Sequence, residues 1–139
     1  MSETAKIPKP APQPDGLNEE FYRHCASGEL RFQRCRSCGV WRHLPRYMCA
    51  ACSSTDWEWA ASTGRGTIFS WTVTHQAMHP AFANDVPYAV IVVEMDEGVR
   101  MVSGLRGLEP SGLSLDLPVR VEFEAVSDSI ALPYFRPAV

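Results

Sequence analysis

The chain has 139 residues, enough for one small domain or two very small ones, and 45% of them are apolar, within the ordinary globular range. A net charge of −3 argues against a generic nucleic-acid binder, which needs a basic surface. No apolar run approaches a membrane span and the N-terminus lacks the apolar core of an export signal, so a cytoplasmic protein with reduced cysteines is the expectation. Eleven of the thirteen basic residues are arginine, and the lysines are Lys6 and Lys9. Six arginines (Arg23, Arg31, Arg34, Arg36, Arg42 and Arg46) stand between Leu17 and Arg46 against Glu19, Glu20 and Glu29, so a local basic patch survives the acidic average.

Residues 1–16 hold four prolines and almost no large apolar side chains. They read as a flexible or extended arm, either a disordered tail or a segment that wraps a partner. Residues 17–29 read as a helical segment. Asn18 is the expected N-cap, with Leu17 and Tyr22 at the staple positions. Leu17, Phe21 and Cys25 are spaced four apart on one apolar side, and Gly28 fits C′. Cys25 is expected to be a small buried apolar residue of this helix. So short a helix is unstable alone and must dock on a neighbouring module or another subunit.

Residues 30–62 carry the strongest signal. Cys35-x2-Cys38 and Cys49-x2-Cys52 are separated by ten residues, the spacing of a four-sulfur structural Zn2+ site. Four sulfurs leave no open position for water or substrate, so the metal is structural. Iron in a rubredoxin-like centre is permitted by the same ligands, and two disulfides would require an oxidising compartment. Gly39 follows the first pair, where a tight knuckle needs positive φ, whereas Ser53 and Ser54 follow the second and make that turn less ideal. His43 lies in the spacer and could crowd or replace a sulfur. Leu30–Arg34, Trp41–Leu44 and Trp57–Trp59 read as short strands, with the two tryptophans lidding a small core or meeting a partner.

Gly64 and Gly66 mark a turn into residues 63–139, which read as all-β. The expected strands are Thr67–His75, Tyr88–Met95, Val99–Ser103, Val119–Val126 and Ile130–Phe135. Val119, Val121, Phe123 and Ala125 face inward on the fourth, and Glu94 and Glu97 are solvated beside a hairpin turn. Five short strands hide their edges best in a small barrel, and the long third-to-fourth connection fits an OB-type order. The loop from His75 to Pro87 either lines a groove or subunit contact or plugs the barrel end with Phe82. His75 and His79 could pair with Asp85 as base and orienter, but no nucleophile accompanies them beyond the sequence neighbours Ser70 and Thr74.

The ordered set Leu30-x2-Gln33-x-Cys35-x2-Cys38-Gly39, Pro45-Arg46-x2-Cys49-x2-Cys52, Gly64-Arg65-Gly66-Thr67, Pro87-Tyr88-Ala89, Glu94-x2-Glu97-Gly98-Val99-Arg100 and Pro118-Val119-Arg120-Val121-x-Phe123 resembles the DUF35 family over roughly residues 17–136. It departs at Ser53 and Ser54, where the family usually has a glycine. The resemblance implies a mainly β fold: an N-terminal helical segment, a rubredoxin-like zinc ribbon, then a five-stranded OB-fold barrel. It also implies an accessory subunit that braces a thiolase-superfamily partner (a thiolase, acyltransferase or aldolase) and helps shape its acyl-CoA passage, while the partner supplies the catalytic groups.

On that reading no catalytic residue belongs to this chain. Cys35, Cys38, Cys49 and Cys52 hold structural Zn2+. Arg34, Arg36, Arg42 and Arg46 would face acidic partner surface or the phosphates of CoA or acyl-CoA at the interface, with Arg65 and Arg100 as weaker candidates. Other readings are a free-standing acyl-CoA-binding module and a single-stranded nucleic-acid-binding OB protein, the latter opposed by the charge.

Overall fold

The computed structural model describes residues 8–138; the expectation for the first seven residues of the arm lies outside them. Helix α1 spans Gly16–Ala26. Strands β1 (Arg31–Cys35), β2 (Trp41–Arg42) and β3 (Trp57–Ala61) form an antiparallel sheet in the order β2-β1-β3. Strands β4 (Arg65–Thr74), β5 (Tyr88–Met95), β6 (Arg100–Gly104), β7 (Pro118–Ala125) and β8 (Ala131–Pro137) form the second sheet, ordered β6-β5-β4-β7-β8. The first strand of this sheet thus pairs with the second on one side and the fourth on the other. A parallel bridge between Leu105 and Phe135 brings the two edges together. The result is the near-closed five-stranded antiparallel OB barrel expected from the strand count. A register shift between Ile68 and Ser70 lets the ten-residue β4 bend to serve both neighbours.

Alternation places Ile68, Ile91, Val93, Val119 and Phe135 inside the barrel, each fully buried. The same core cluster continues through Phe21, Cys25, Leu30 and Phe32, so helix, ribbon and barrel share one apolar interior. Each large side chain buried there contributes about 1.5–3 kcal/mol. Gly66 allows β4 and β5 to close: a Cβ at this position would lie 2.4 Å from the Glu94 carbonyl oxygen.

Three expectations need correction. The helix starts one turn earlier than Asn18 would cap it. Asp15 holds the N-cap position without a side-chain bond, and Leu17 is helical rather than a staple residue. Its burial with Phe21 and Cys25 requires this, because only a helical Leu17 lies on their face. Ala125 is exposed rather than inward, since the β7–β8 hairpin outruns the barrel wall there. Glu97 is not a free surface charge. Its carboxylate accepts from the Ser62 hydroxyl at 2.6 Å and the Thr63 N–H at 3.0 Å, while Asp96 accepts from the Thr63 hydroxyl at 2.9 Å. The β5–β6 turn therefore grips the chain where the ribbon passes into the barrel.

Hydrogen bonds to a charged acceptor are the stronger class. Glu97→Ala should accordingly lower unfolding free energy by about 1–3 kcal/mol, and Glu97→Gln by less, measured by urea denaturation of the metal-loaded chain.

Candidate metal centre

The two pairs of cysteines sit in two equivalent knuckles. In the first, the Cys35 N–H donates to Val40 O and the Gly39 N–H donates to Cys35 O, both at 2.9 Å. In the second, the Cys49 N–H donates to Ser54 O at 2.9 Å and the Ser53 N–H to Cys49 O at 2.8 Å. Gly39 has φ +79° and Ser53, at the matching position, φ +65°. The second turn thus keeps the left-handed geometry without glycine, at a cost of about 1–2 kcal/mol. The Ser37 hydroxyl donates to Ser54 Oγ at 2.8 Å and ties one knuckle to the other.

The four Sγ atoms of Cys35, Cys38, Cys49 and Cys52 lie within 4.8 Å of one another. Two of the separations, Cys35–Cys52 and Cys38–Cys49, are 3.6 Å. A tetrahedron built on Zn–S bonds of about 2.3 Å has an edge of about 3.8 Å, so the donor set fits the ion. In the metal-free state Cys35 is lowered to about 6, chiefly by the Cys38 backbone N–H, and Cys49 is lowered chiefly by that of Cys52. These amides solvate the two buried sulfurs as thiolates. The Ser54 N–H lowers Cys52, but neighbouring sulfurs and burial outweigh it and push that thiol up to about 12. A bound divalent cation would offset the repulsion among the sulfurs and let all four ligate as thiolates.

Sequence profiles for the ChsH2 rubredoxin-like zinc ribbon domain and the ChsH2 C-terminal OB-fold domain match residues 23–58 and 59–124. A solved structure, an Ltp2-ChsH2(DUF35) aldolase, superposes with TM-score 0.84 at 35% identity, covering 93% of this chain and 100% of that one. The chain belongs to the DUF35 family. Among curated relatives, a probable enoyl-CoA hydratase alpha subunit of Thermomonospora curvata is 36% identical over 134 residues, 96% of this chain and 41% of the relative. A 3-oxo-4,17-pregnadiene-20-carboxyl-CoA hydratase alpha subunit of Mycobacterium tuberculosis is 36% identical over 103 residues, 74% of this chain and 32% of the relative. The chain therefore spans well under half the length of either.

The arginines of this DUF35 ribbon have separate surroundings. Arg34 stacks 5.5 Å from the Trp41 ring and Arg36 lies 3.5 Å from Glu58 and 3.7 Å from Asp56; both side chains are exposed. Arg46 is exposed too, but its backbone is not free. Its N–H donates to Gln33 Oε1 at 2.7 Å, and its carbonyl accepts from Arg42 Nη2 at 2.7 Å. Arg42 turns inward: Nε also donates to Gln33 Oε1 at 2.7 Å and the guanidinium lies 5.9 Å from the Trp57 ring. Arg65 is exposed, and Arg100 stacks 3.7 Å from the Phe69 ring.

Gln33 stands in the motif that carries the family resemblance, but sequence reasoning assigned it no role. It is fully buried, and it lies opposite Arg42 across the β1–β2 ladder. Apolar and polar residues alternate over Leu30–Arg34, which puts Leu30 and Phe32 on one side and Gln33 on the other. β1 is the central strand of its sheet, with Phe32 under α1 on one face and Gln33 under the Arg42–Arg46 loop on the other. An amide between two arginines beside a cysteine knuckle was the available signal.

The histidines form no catalytic pair among the described residues. His79 Nδ1 accepts from the Ala81 N–H at 3.0 Å, capping a short 3-10 turn, and Asp85 pairs with Lys9 instead. His43 neither replaces nor crowds a sulfur. It packs 5.2 Å from both the Phe21 and Phe32 rings, and burial pushes its imidazole down to about 4. Cys25 is buried on α1 and its thiol is pushed up to about 12 by burial, the inert apolar role expected for it. Trp57 and Trp59 are half-buried and meet edge to face at 5.3 Å, with Trp59 also donating to Glu20 of α1 at 3.3 Å.

Metal analysis should find one Zn2+ per chain, abolished by Cys49→Ser and untouched by Cys25→Ala. Cobalt substitution should give the absorption of a tetrahedral thiolate site. A second outcome concerns acid stability. His43 binds its proton at about 4 in the folded state, below the ordinary histidine value, so the unfolded chain protonates first as pH falls. Its contribution is whole above about pH 6.5 and lost as pH falls toward 4. At saturating Zn2+, His43→Phe should therefore flatten the acid limb of stability by about 1.4 kcal/mol per pH unit within that window.

Proposed function

We propose that this chain is a non-catalytic accessory subunit of a thiolase-superfamily acyl-CoA enzyme. It braces the partner and lends one wall to the partner's CoA or acyl-CoA site. The observation that carries this reading is the whole-length superposition on the DUF35 chain of an Ltp2-ChsH2(DUF35) aldolase. The working units are the helical segment 17–29, the ribbon 30–62 and the barrel 63–139.

The surface of the ribbon has the right composition for such a contact. Val40 is exposed in the first knuckle, just before β2, and Leu44, Tyr47 and Met48 are exposed on the loop between β2 and the second knuckle, although their size and polarity favour burial. Exposed Arg34, Arg36 and Arg46 belong to the same ribbon. Apolar and aromatic anchors with arginine are what protein interfaces concentrate. The same arginines could meet acidic side chains or CoA phosphates through charge-assisted bonds. Arg42, engaged with Gln33 and the Arg46 carbonyl, acts by holding the loop that carries Leu44, Arg46 and Tyr47. The metal would close the ribbon and supply no chemistry to a substrate, since four sulfurs fill its coordination.

An aldolase partner would break the bond between the α and β carbons of a 3-hydroxyacyl-CoA, leaving a carbonyl fragment and an acyl-CoA enolate that takes up a proton. A thiolase partner would cleave a 3-oxoacyl-CoA with CoA. The hydratase alpha subunits among the relatives favour a second reading, in which the partner adds water across an enoyl-CoA double bond.

Tagged protein isolated from its own cells at moderate salt should bring down a thiolase-like or hydratase-like protein in stoichiometric amount. The double variant Arg36→Glu with Tyr47→Ala should keep its Zn2+ and lose partner affinity by about tenfold or more. A Zn-loaded chain recovered alone, with an affinity of its own for acyl-CoA or single-stranded nucleic acid, would sink the proposal.

A further inference from the structure

The barrel is only lightly closed between β6 and β8. The ties there are the Leu105–Phe135 bridge, the Arg106 N–H donating to Phe135 O at 2.8 Å, and the Ser103 hydroxyl donating to Pro133 O at 2.7 Å. Pro133 has no N–H to offer in return. Two cavities, of about 530 and 560 Å3, open along this seam, and Tyr134 lines both. Tyr134 is held firmly in place. Its ring covers Gly104, where a Cβ would lie 2.7 Å from two ring carbons, and the Arg106 guanidinium stacks 3.6 Å from its centroid.

The N-terminal arm follows the same seam. Lys9 stands in the larger cavity, its ammonium group 2.6 Å from Asp85 and 5.4 Å from the centre of the Phe82 ring. Pro12 and Pro14 line the smaller cavity, together with Tyr22 and Tyr134. Phe82 lines this groove; it is half-buried and packs 6.0 Å from Tyr88.

Proline occupies positions 8, 10, 12 and 14. The rings set φ near −65° and push the residues between them toward extended or polyproline II geometry. They also delete every second N–H, which leaves backbone donors on one edge of the arm alone. Among the described residues, positions 8–14 make no backbone hydrogen bond to the barrel. What holds the arm is a cation between one carboxylate and one aromatic ring, followed by prolines that line a cavity shared with two tyrosines. Aromatic grooves read basic proline-rich segments by this chemistry, exploiting a helix that is stiff before it binds.

We propose that the β6–β8 seam is a recognition groove for lysine-led proline-rich segments, and that residues 9–14 occupy it in cis. A partner segment of the same chemistry enters only by displacing the arm. The Lys9–Asp85 pair is half exposed, with side chains 51% and 39% accessible, so it is a weak and salt-sensitive latch. Masking rests mainly on the high effective concentration of a tethered segment. The groove is independent of any acyl-CoA enzyme, and its test needs no such partner.

The test uses the full-length chain and a fluorescent synthetic peptide with the sequence of residues 8–15, PKPAPQPD, followed by anisotropy. Lys9→Glu sets a like charge against Asp85 and releases the arm. This variant should bind the peptide about tenfold tighter than the wild-type chain, whose groove is filled. Adding Asp85→Lys to it restores an attractive pair in cis and repels the peptide's lysine, so the double variant should lose binding. In the single variant the peptide should shift the ring resonances of Tyr134 and Tyr22. Equal affinity of the wild-type chain and Lys9→Glu overturns the proposal, as does equal affinity of the single and double variants or the absence of saturable binding to Lys9→Glu.

Discussion

Convergence of four sulfurs on one point is the constraint from which the rest of the ribbon follows. Its sheet is small, and β2 is only two residues long. Such a sheet cannot bury enough apolar surface to hold itself. A structural Zn2+ supplies about 10–16 kcal/mol of apparent binding energy in small zinc modules. With the knuckles drawn together, Cys35 fixes the end of β1, and β1 fixes Gln33. One amide oxygen then receives both the Arg42 guanidinium and the Arg46 N–H. The loop bearing Leu44, Tyr47 and Met48 is thereby set by a polar contact at the back of the metal site. The amide nitrogen of Gln33 and Nη1 of Arg42 are buried without a protein partner, which suits a bridging water at this point.

The ribbon does not hang from the barrel on a loose tether. Phe32 of β1, Phe21 of α1 and Phe135 of β8 belong to one continuous core. On the outside of that core, Asp96 and Glu97 grip Ser62 and Thr63. Helix α1 has neighbours in both sheets: Trp59 reaches it through Glu20, and its buried side joins the barrel's interior. Ribbon and barrel are thus joined both through the shared core and through the linker.

The arginine set divides by the same logic. Arg42 is drawn inward because Gln33 lies directly across the ladder from it. Arg34 and Arg36 alternate with Cys35 and therefore point away from the sulfur cluster's buried side. Four residues that look equivalent in the chain thus have two jobs, one internal and the others outward. A comparable division separates Lys9 from the arginines, since its short tie to Asp85 orders a segment of few apolar side chains against the barrel.

The sequence by itself determined the metal ligands, the helix face of Leu17, Phe21 and Cys25, and the five barrel strands. All of these are local or periodic signals. Paired cysteines two residues apart, a four-residue repeat and two-residue alternation each record geometry within a few neighbours. The tertiary structure alone decided where Gln33, Glu97, His43 and Lys9 went. Gln33 is buried because β1 has neighbours on both sides, and Glu97 is engaged because the β5–β6 turn meets the Ser62–Thr63 linker more than thirty residues away. His43 is neutral because two phenylalanines from different elements close around it. Lys9 meets Asp85 across more than seventy residues. Polar side chains carry no period that marks them as buried; their role depends on which distant group arrives beside them, and only the folded chain specifies that.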